Sequence, residues 1–134
     1  MQNTATKRGN VGSTYDSSKI RVRNVTKGTV VADAASVANT SATRRTGLLK
    51  HTQLLPGEGL WIVPCEGVHT FRMKFDIDVV YLNKAKKVLK VRARMPKSRL
   101  SFCLTAHSVL ELPAGMTEST ATEAGDQLEF EKLS

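Results

Sequence analysis

The sequence predicts a small α+β domain with a mainly antiparallel, barrel-like β-sheet and about two short helices. Three observations carry this. Short apolar runs with two-residue alternation recur from Ile20 to Phe130. Turn formers break them at Thr26-Lys27-Gly28, Pro56-Gly57-Glu58-Gly59, Asn83-Lys84 and Pro113-Ala114-Gly115. A length of 134 residues fits one core and leaves little room for a second.

Taken in order, residues 1–18 are rich in Asn, Thr, Ser and Gly, with Val11 and Tyr15 the large apolar groups. Burial there cannot offset the entropy of ordering, which predicts a flexible tail before one globular domain over residues 19–134. Order is expected from Ile20. Ile20 to Val25 and Thr29 to Ala32 read as a hairpin, with Gly28 available for a left-handed turn. Residues 33–39 are small and ambiguous. Thr40 to Lys50 suits a helix capped by Asn39 or Thr40, with Arg44, Arg45 and Lys50 solvated. Gly47 within it costs about 1 kcal/mol relative to Ala, which points to close packing or an early end.

From Leu60 the pattern is β. Leu60 to Val63, Thr70 to Phe75, Ile77 to Leu82 and Val88 to Met95 read as strands. In the second, Phe71, Met73 and Phe75 share a face. In the last, Leu89, Val91, Ala93 and Met95 are expected inward and Lys90, Arg92 and Arg94 outward. Residues 96–106 form an irregular connection through Pro96. Ser108 to Leu112 is a strand, residues 116–124 suit a short helix, and Gln127 to Phe130 is the last strand.

The net charge is +8, from 20 basic and 12 acidic residues. Eight of the bases (Lys84, Lys86, Lys87, Lys90, Arg92, Arg94, Lys97, Arg99) fall in one acid-free stretch, so the rest of the chain is balanced. No apolar run approaches the ~20 residues that span a bilayer, which argues against a membrane. The first ten residues lack the apolar stretch of a secretory signal, and two cysteines make no disulfide framework. A monomer in the cytoplasm, without a cofactor, is the expectation.

Several runs stand in a distinctive order: Arg45-Thr46-Gly47-Leu48-Leu49, Gly59-Leu60-Trp61-Ile62, His69-Thr70-Phe71-Arg72-Met73-Lys74-Phe75 and Ile77-Asp78-Val79-Val80-Tyr81-Leu82. Ser108-Val109-Leu110-Glu111-Leu112-Pro113-Ala114-Gly115 and Gly125-Asp126-Gln127-Leu128 continue it. The set resembles the bacterial and archaeal family of uncharacterised proteins known as domain of unknown function 192, over roughly residues 20–131. The resemblance implies a compact, mainly antiparallel β domain with short helices and no assigned activity. Two positions depart from the family pattern: Lys50-His51 stands where Gly-Arg or a similar pair is usual, and Asp76 where proline is usual.

Four groups of residues could carry function. Asp78 and Glu111 are carboxylates inside apolar strand runs, where an unpaired charge is expensive. They form either buried ion pairs or, with His69, Arg72 and Lys74, a polar cleft near residues 70–82 for a small polar ligand or a partner protein. The basic stretch, above all Lys84, Lys86, Lys87, Lys90, Arg92 and Arg94, offers a surface for nucleic acid or another polyanion; the alternative is a solvated strand face guarded against edge pairing. Its charges are not interleaved with stacking aromatics.

The runs Cys65-Glu66-Gly67-Val68-His69 and Cys103-Leu104-Thr105-Ala106-His107 both read Cys-x-x-x-His. They could supply four zinc ligands or, through Cys65 and His69, a thiolate pair for a thiol or metal-dependent enzyme. Ordinary packing is the competing account, and no familiar catalytic motif is present. The leading expectation is a non-catalytic small binding or accessory domain.

Overall fold

The computed structural model describes residues 16–49 and 51–133. Nine strands and two helices occur among them: β1 Asp16–Asn24, β2 Thr29–Ala38, α1 Ser41–Thr46, β3 Glu58–Ile62, β4 Gly67–His69, β5 Ile77–Leu82, β6 Val88–Met95, β7 Leu100–Phe102, β8 Ser108–Pro113, α2 Met116–Ser119 and β9 Leu128–Leu133. The tail expected over residues 1–18 lies outside the described residues as far as residue 15, and β1 already runs at Asp16.

Seven strands form one sheet in the order β9-β1-β2-β3-β8-β5-β6, and β4 pairs with β7 in a small antiparallel ribbon. All pairings in the large sheet are antiparallel except β2 with β3. The α+β, mainly antiparallel class therefore holds. The sheet is not a closed barrel: its two ends meet at one bridge, Lys87 with Gln127.

Side chains alternate across the sheet, so each face carries a core. One holds Val22, Val31, Ala35, Val80, Leu82, Leu110 and Leu112. The other holds Leu60, Ile62, Ile77, Val79, Tyr81, Met95 and Val109, with Leu48 and Met73 packed among them. Near α1 and the ribbon, this second face opens into a cleft.

Several expectations need correction. The connection expected to be irregular over residues 96–106 holds the strand β7. The helix expected from Thr40 to Lys50 stops at Thr46, with Lys50 outside the described residues, and α2 takes up only Met116–Ser119 of 116–124. Ala93, expected inward, is exposed. Thr70 to Phe75 is not a strand. Thr70 is buried and anchored, its hydroxyl donating to the Pro96 carbonyl (2.6 Å) and accepting from Arg99 N–H (2.9 Å). The chain then turns, with Met73 N–H bonded to Thr70 O (3.1 Å) and Arg72 in the left-handed region (φ 65°), so the Phe71-Met73-Phe75 alternation never becomes a strand. The outward row Lys90-Arg92-Arg94 is also broken. Lys90 stands opposite Tyr81 and Arg92 opposite Val79, but a bulge intervenes before Met95 meets Ile77. Arg94 there takes φ 49° and its guanidinium reaches Glu118 of α2 (3.3 Å).

Candidate functional site

The two buried carboxylates sit on opposite faces of the sheet. Glu111 is opposite Leu60 and Val79, whereas Asp78 precedes Val79 and so points the other way. Asp78 is fully buried and saturated with donors. Oδ1 accepts from the backbone N–H groups of Arg94 (2.8 Å) and Gly115 (3.1 Å); Oδ2 accepts from the N–H (2.8 Å) and hydroxyl (2.6 Å) of Thr117. It ties the β6 bulge to the start of α2. Such a carboxylate has no lone pair left for a ligand.

Glu111 is the reverse case. It is 5% exposed and accepts no hydrogen bond from any described residue. Burial alone pushes its carboxyl up to about 7. It lines a cavity of about 80 Å³ with Arg44, Arg45, Gly47, Leu48, Cys65, Gly67, His69 and Met73. That space holds a few waters or a small molecule.

Local sequence places each wall. Thr40 caps α1 in a reciprocal arrangement with Thr43: Thr43 N–H donates to Thr40 Oγ1 (3.1 Å) and Thr40 N–H to Thr43 Oγ1 (3.0 Å). Gly47, with φ 50°, ends the helix after six residues. Arg44 and Arg45 thus occupy its last turn, at the cleft, where the exposed carbonyls favour cations. Arg44 also donates to the Asn39 carbonyl (3.3 Å). Opposite, Cys65 donates its thiol proton to Gly67 O (3.1 Å), and burial pushes that thiol up. His69 ends β4 with its ring stacked on Phe71 (centroids 5.4 Å apart, 23° between planes). Below, Tyr81 Oη and Ser101 Oγ are buried near each other but outside hydrogen-bonding geometry, and burial pushes the phenol up.

Of the five residues expected to converge, the fold brings together His69 and Glu111. Arg72 and Lys74 are exposed on the 70–76 segment, outside the cleft lining, and Asp78 is on the far face. Within the basic stretch, some side chains are engaged by the fold. Lys86 lies over the rings of Trp61 (5.2 Å) and Phe130 (5.1 Å), Lys84 and Lys87 are exposed in the β5–β6 turn, and Arg94 pairs with Glu118.

The two Cys-x-x-x-His segments are backbone neighbours, Cys65 N–H bonding to His107 O and Cys103 N–H to Glu66 O, both at 2.9 Å. Both thiols are free. His69 lines the Glu111 cleft, while His107 lines a separate opening with Pro64 and Glu66. Among the described residues no group of three or more His, Cys, Asp or Glu stands close enough to hold a metal ion, and no helix is long and apolar enough to cross a membrane.

Arg44, Arg45 and Cys65 are cleft residues that the ligand-site expectation left out. The signal for the arginines was the early helix end that Gly47 implies, which puts the preceding basic pair at a terminus and not along a solvated face.

Residues 22–130 match the family described as Uncharacterized ACR, DUF192. The UPF0127 protein PF1050 of Pyrococcus furiosus is 29% identical over 117 residues, covering 82% of this chain and 97% of the relative. Two crystal structures share the fold. A protein of unknown function from Novosphingobium aromaticivorans superposes with a TM-score of 0.72 at 21% identity, over 83% of each chain. A Sinorhizobium meliloti protein described as a candidate transcription regulator superposes with 0.78 at 17% identity, over 89% of this chain and 97% of that one. With its sheet, its short helices and most of its length accounted for in this way, the chain belongs to the DUF192 family.

Proposed function

We propose that this domain binds a small polar ligand bearing an anionic group, in the cleft over Glu111. One observation carries the reading: a carboxyl 5% exposed, without a hydrogen-bond partner among the described residues, at a cavity that Arg44, Arg45 and His69 also line. A largely buried carboxyl that finds no donor among the described residues is costly to keep charged, and the cavity beside it leaves room for a ligand to supply the missing hydrogen bonds. With its carboxyl near 7, Glu111 donates or accepts a hydrogen bond at neutral pH. The arginines offer forked donors suited to carboxylate or phosphate. The volume restricts the ligand to a few heavy atoms inside the cleft.

The test is an amide NMR titration with acetate, glycolate, glycine and inorganic phosphate. At least one should move the signals of Gly47, Leu48, Gly67, His69 and Glu111. Its affinity should fall about tenfold or more in the Arg44→Ala/Arg45→Ala double variant, as expected for loss of charge-assisted hydrogen bonds. Silence at these signals with all four probes, or an unchanged affinity in the double variant, sinks the reading.

A further inference from the structure

The outer face of the β4–β7 ribbon carries a cluster of exposed apolar side chains that the cleft does not use. Phe71 is 45% exposed, Leu100 53%, Phe102 55% and Leu104 75%. The register makes them neighbours: Leu100 stands opposite His69 and Phe102 opposite Gly67. The Phe102 ring lies against Gly67, where a Cβ would come within 2.7 Å of it. Phe71 stacks on His69 (5.4 Å), and Leu104 is exposed in the turn that follows β7, two residues after Phe102. The result is an apolar platform of Phe71, Leu100 and Phe102 with an exposed leucine in the adjoining turn.

Bases surround it. Lys90 Nζ donates to the Phe102 carbonyl (2.8 Å), so its charge is fixed at the platform's margin. Arg99, beside Leu100, donates to the carbonyls of Lys97 and Ser98. Arg72 and Lys74 come after Phe71, exposed. Glu66 and Asp76 are the acids on these segments.

We infer that this face docks on the surface of an anionic phospholipid bilayer. A bilayer takes apolar side chains at the boundary of headgroup and acyl chain while basic groups stay at the level of the phosphates, and it needs no shape complementarity. The alternatives fit less well. A stable protein partner usually engages 20–30 residues a side, far more than this platform offers. Single-stranded nucleic acid is held by stacking, but the two leucines have no π-face and Phe71 and Phe102 each lie against the protein on one side. The absence of a spanning helix among the described residues leaves surface contact open.

The experiment is vesicle co-sedimentation of the full chain. Vesicles of phosphatidylcholine containing phosphatidylglycerol should retain it, increasingly with the phosphatidylglycerol fraction and less at high salt. Phosphatidylcholine alone should not. Leu104→Ser, at a position that packing does not fix, should weaken retention at least fivefold, and Lys74→Glu with Lys97→Glu should do likewise. The inference is overturned by no retention on phosphatidylglycerol vesicles, by equal retention on neutral ones, or by retention that Leu104→Ser leaves unchanged. It is equally overturned if an oligothymidine strand is bound and the vesicles are not.

Discussion

Asp78 and Glu111 lie on neighbouring strands, both buried, one on each face of the same sheet. Asp78 receives four hydrogen bonds, three of them from backbone N–H groups that would otherwise lack partners. Glu111 receives none from the described residues and faces a cavity. The difference teaches what a buried charge can be for. A saturated carboxylate is a structural clasp, and its worth appears as folding stability. One without donors, at a cavity, is pushed up to about 7 by burial and costs stability wherever it is ionised.

The contrast can be broken in three ways. The largest effect is expected for Asp78→Ala, which orphans the amides of Arg94, Gly115 and Thr117 and should cost about 4 kcal/mol in urea unfolding. A loss below about 1 kcal/mol would show that the clasp is not one.

Next comes Glu111→Gln. The folded carboxyl titrates near 7 and the unfolded one near 4.5, so the native state holds the proton more tightly. Stability therefore falls as pH rises through that window, by about 3 kcal/mol in all, and is flat above about pH 8. The neutral glutamine removes this slope. It should be more stable than wild type by about 3 kcal/mol at pH 8 and indistinguishable below about pH 4.5. Parallel unfolding curves across pH would refute the assignment.

The smallest effect belongs to Arg94→Ala. Its ion pair with Glu118 is largely exposed, 62% and 80% for the two side chains, so it should change stability by less than about 0.5 kcal/mol. A larger loss would mean that the Arg94 side chain, and not its backbone N–H, supports the Asp78 clasp.

The strands β5 and β6 were legible because alternation and turn formers agree, and they begin and end where the apolar runs do, whereas the three-residue strands β4 and β7 are too short to show a period. Both carboxylates were legible as exceptions within those runs. Their opposite fates were not, because register decides which face a residue meets and what waits there, and register is set by partners distant in sequence. The 70–75 run misled for a related reason: its alternation satisfies strand geometry locally, but Thr70 is claimed by Pro96 and Arg99. The Lys90-Arg92-Arg94 row failed at a bulge, where one inserted residue reverses the sidedness of the residues after it. The arginine wall escaped because a charged pair on a helix looks solvated until the helix end is placed.

The pairing of β1 with β9 has a kinetic side. Arg21 and Glu131, adjacent across that pair, are 110 residues apart in sequence. The β1–β2 hairpin can form from local contacts, but its outer neighbour arrives only after nearly the whole domain has been gathered, and the parallel β2–β3 pair also requires a crossover. Domains dominated by such non-local pairings fold in milliseconds to seconds, not microseconds. Until β9 docks, β1 keeps an open edge, and that interval is when the chain is most prone to pair with another copy of itself.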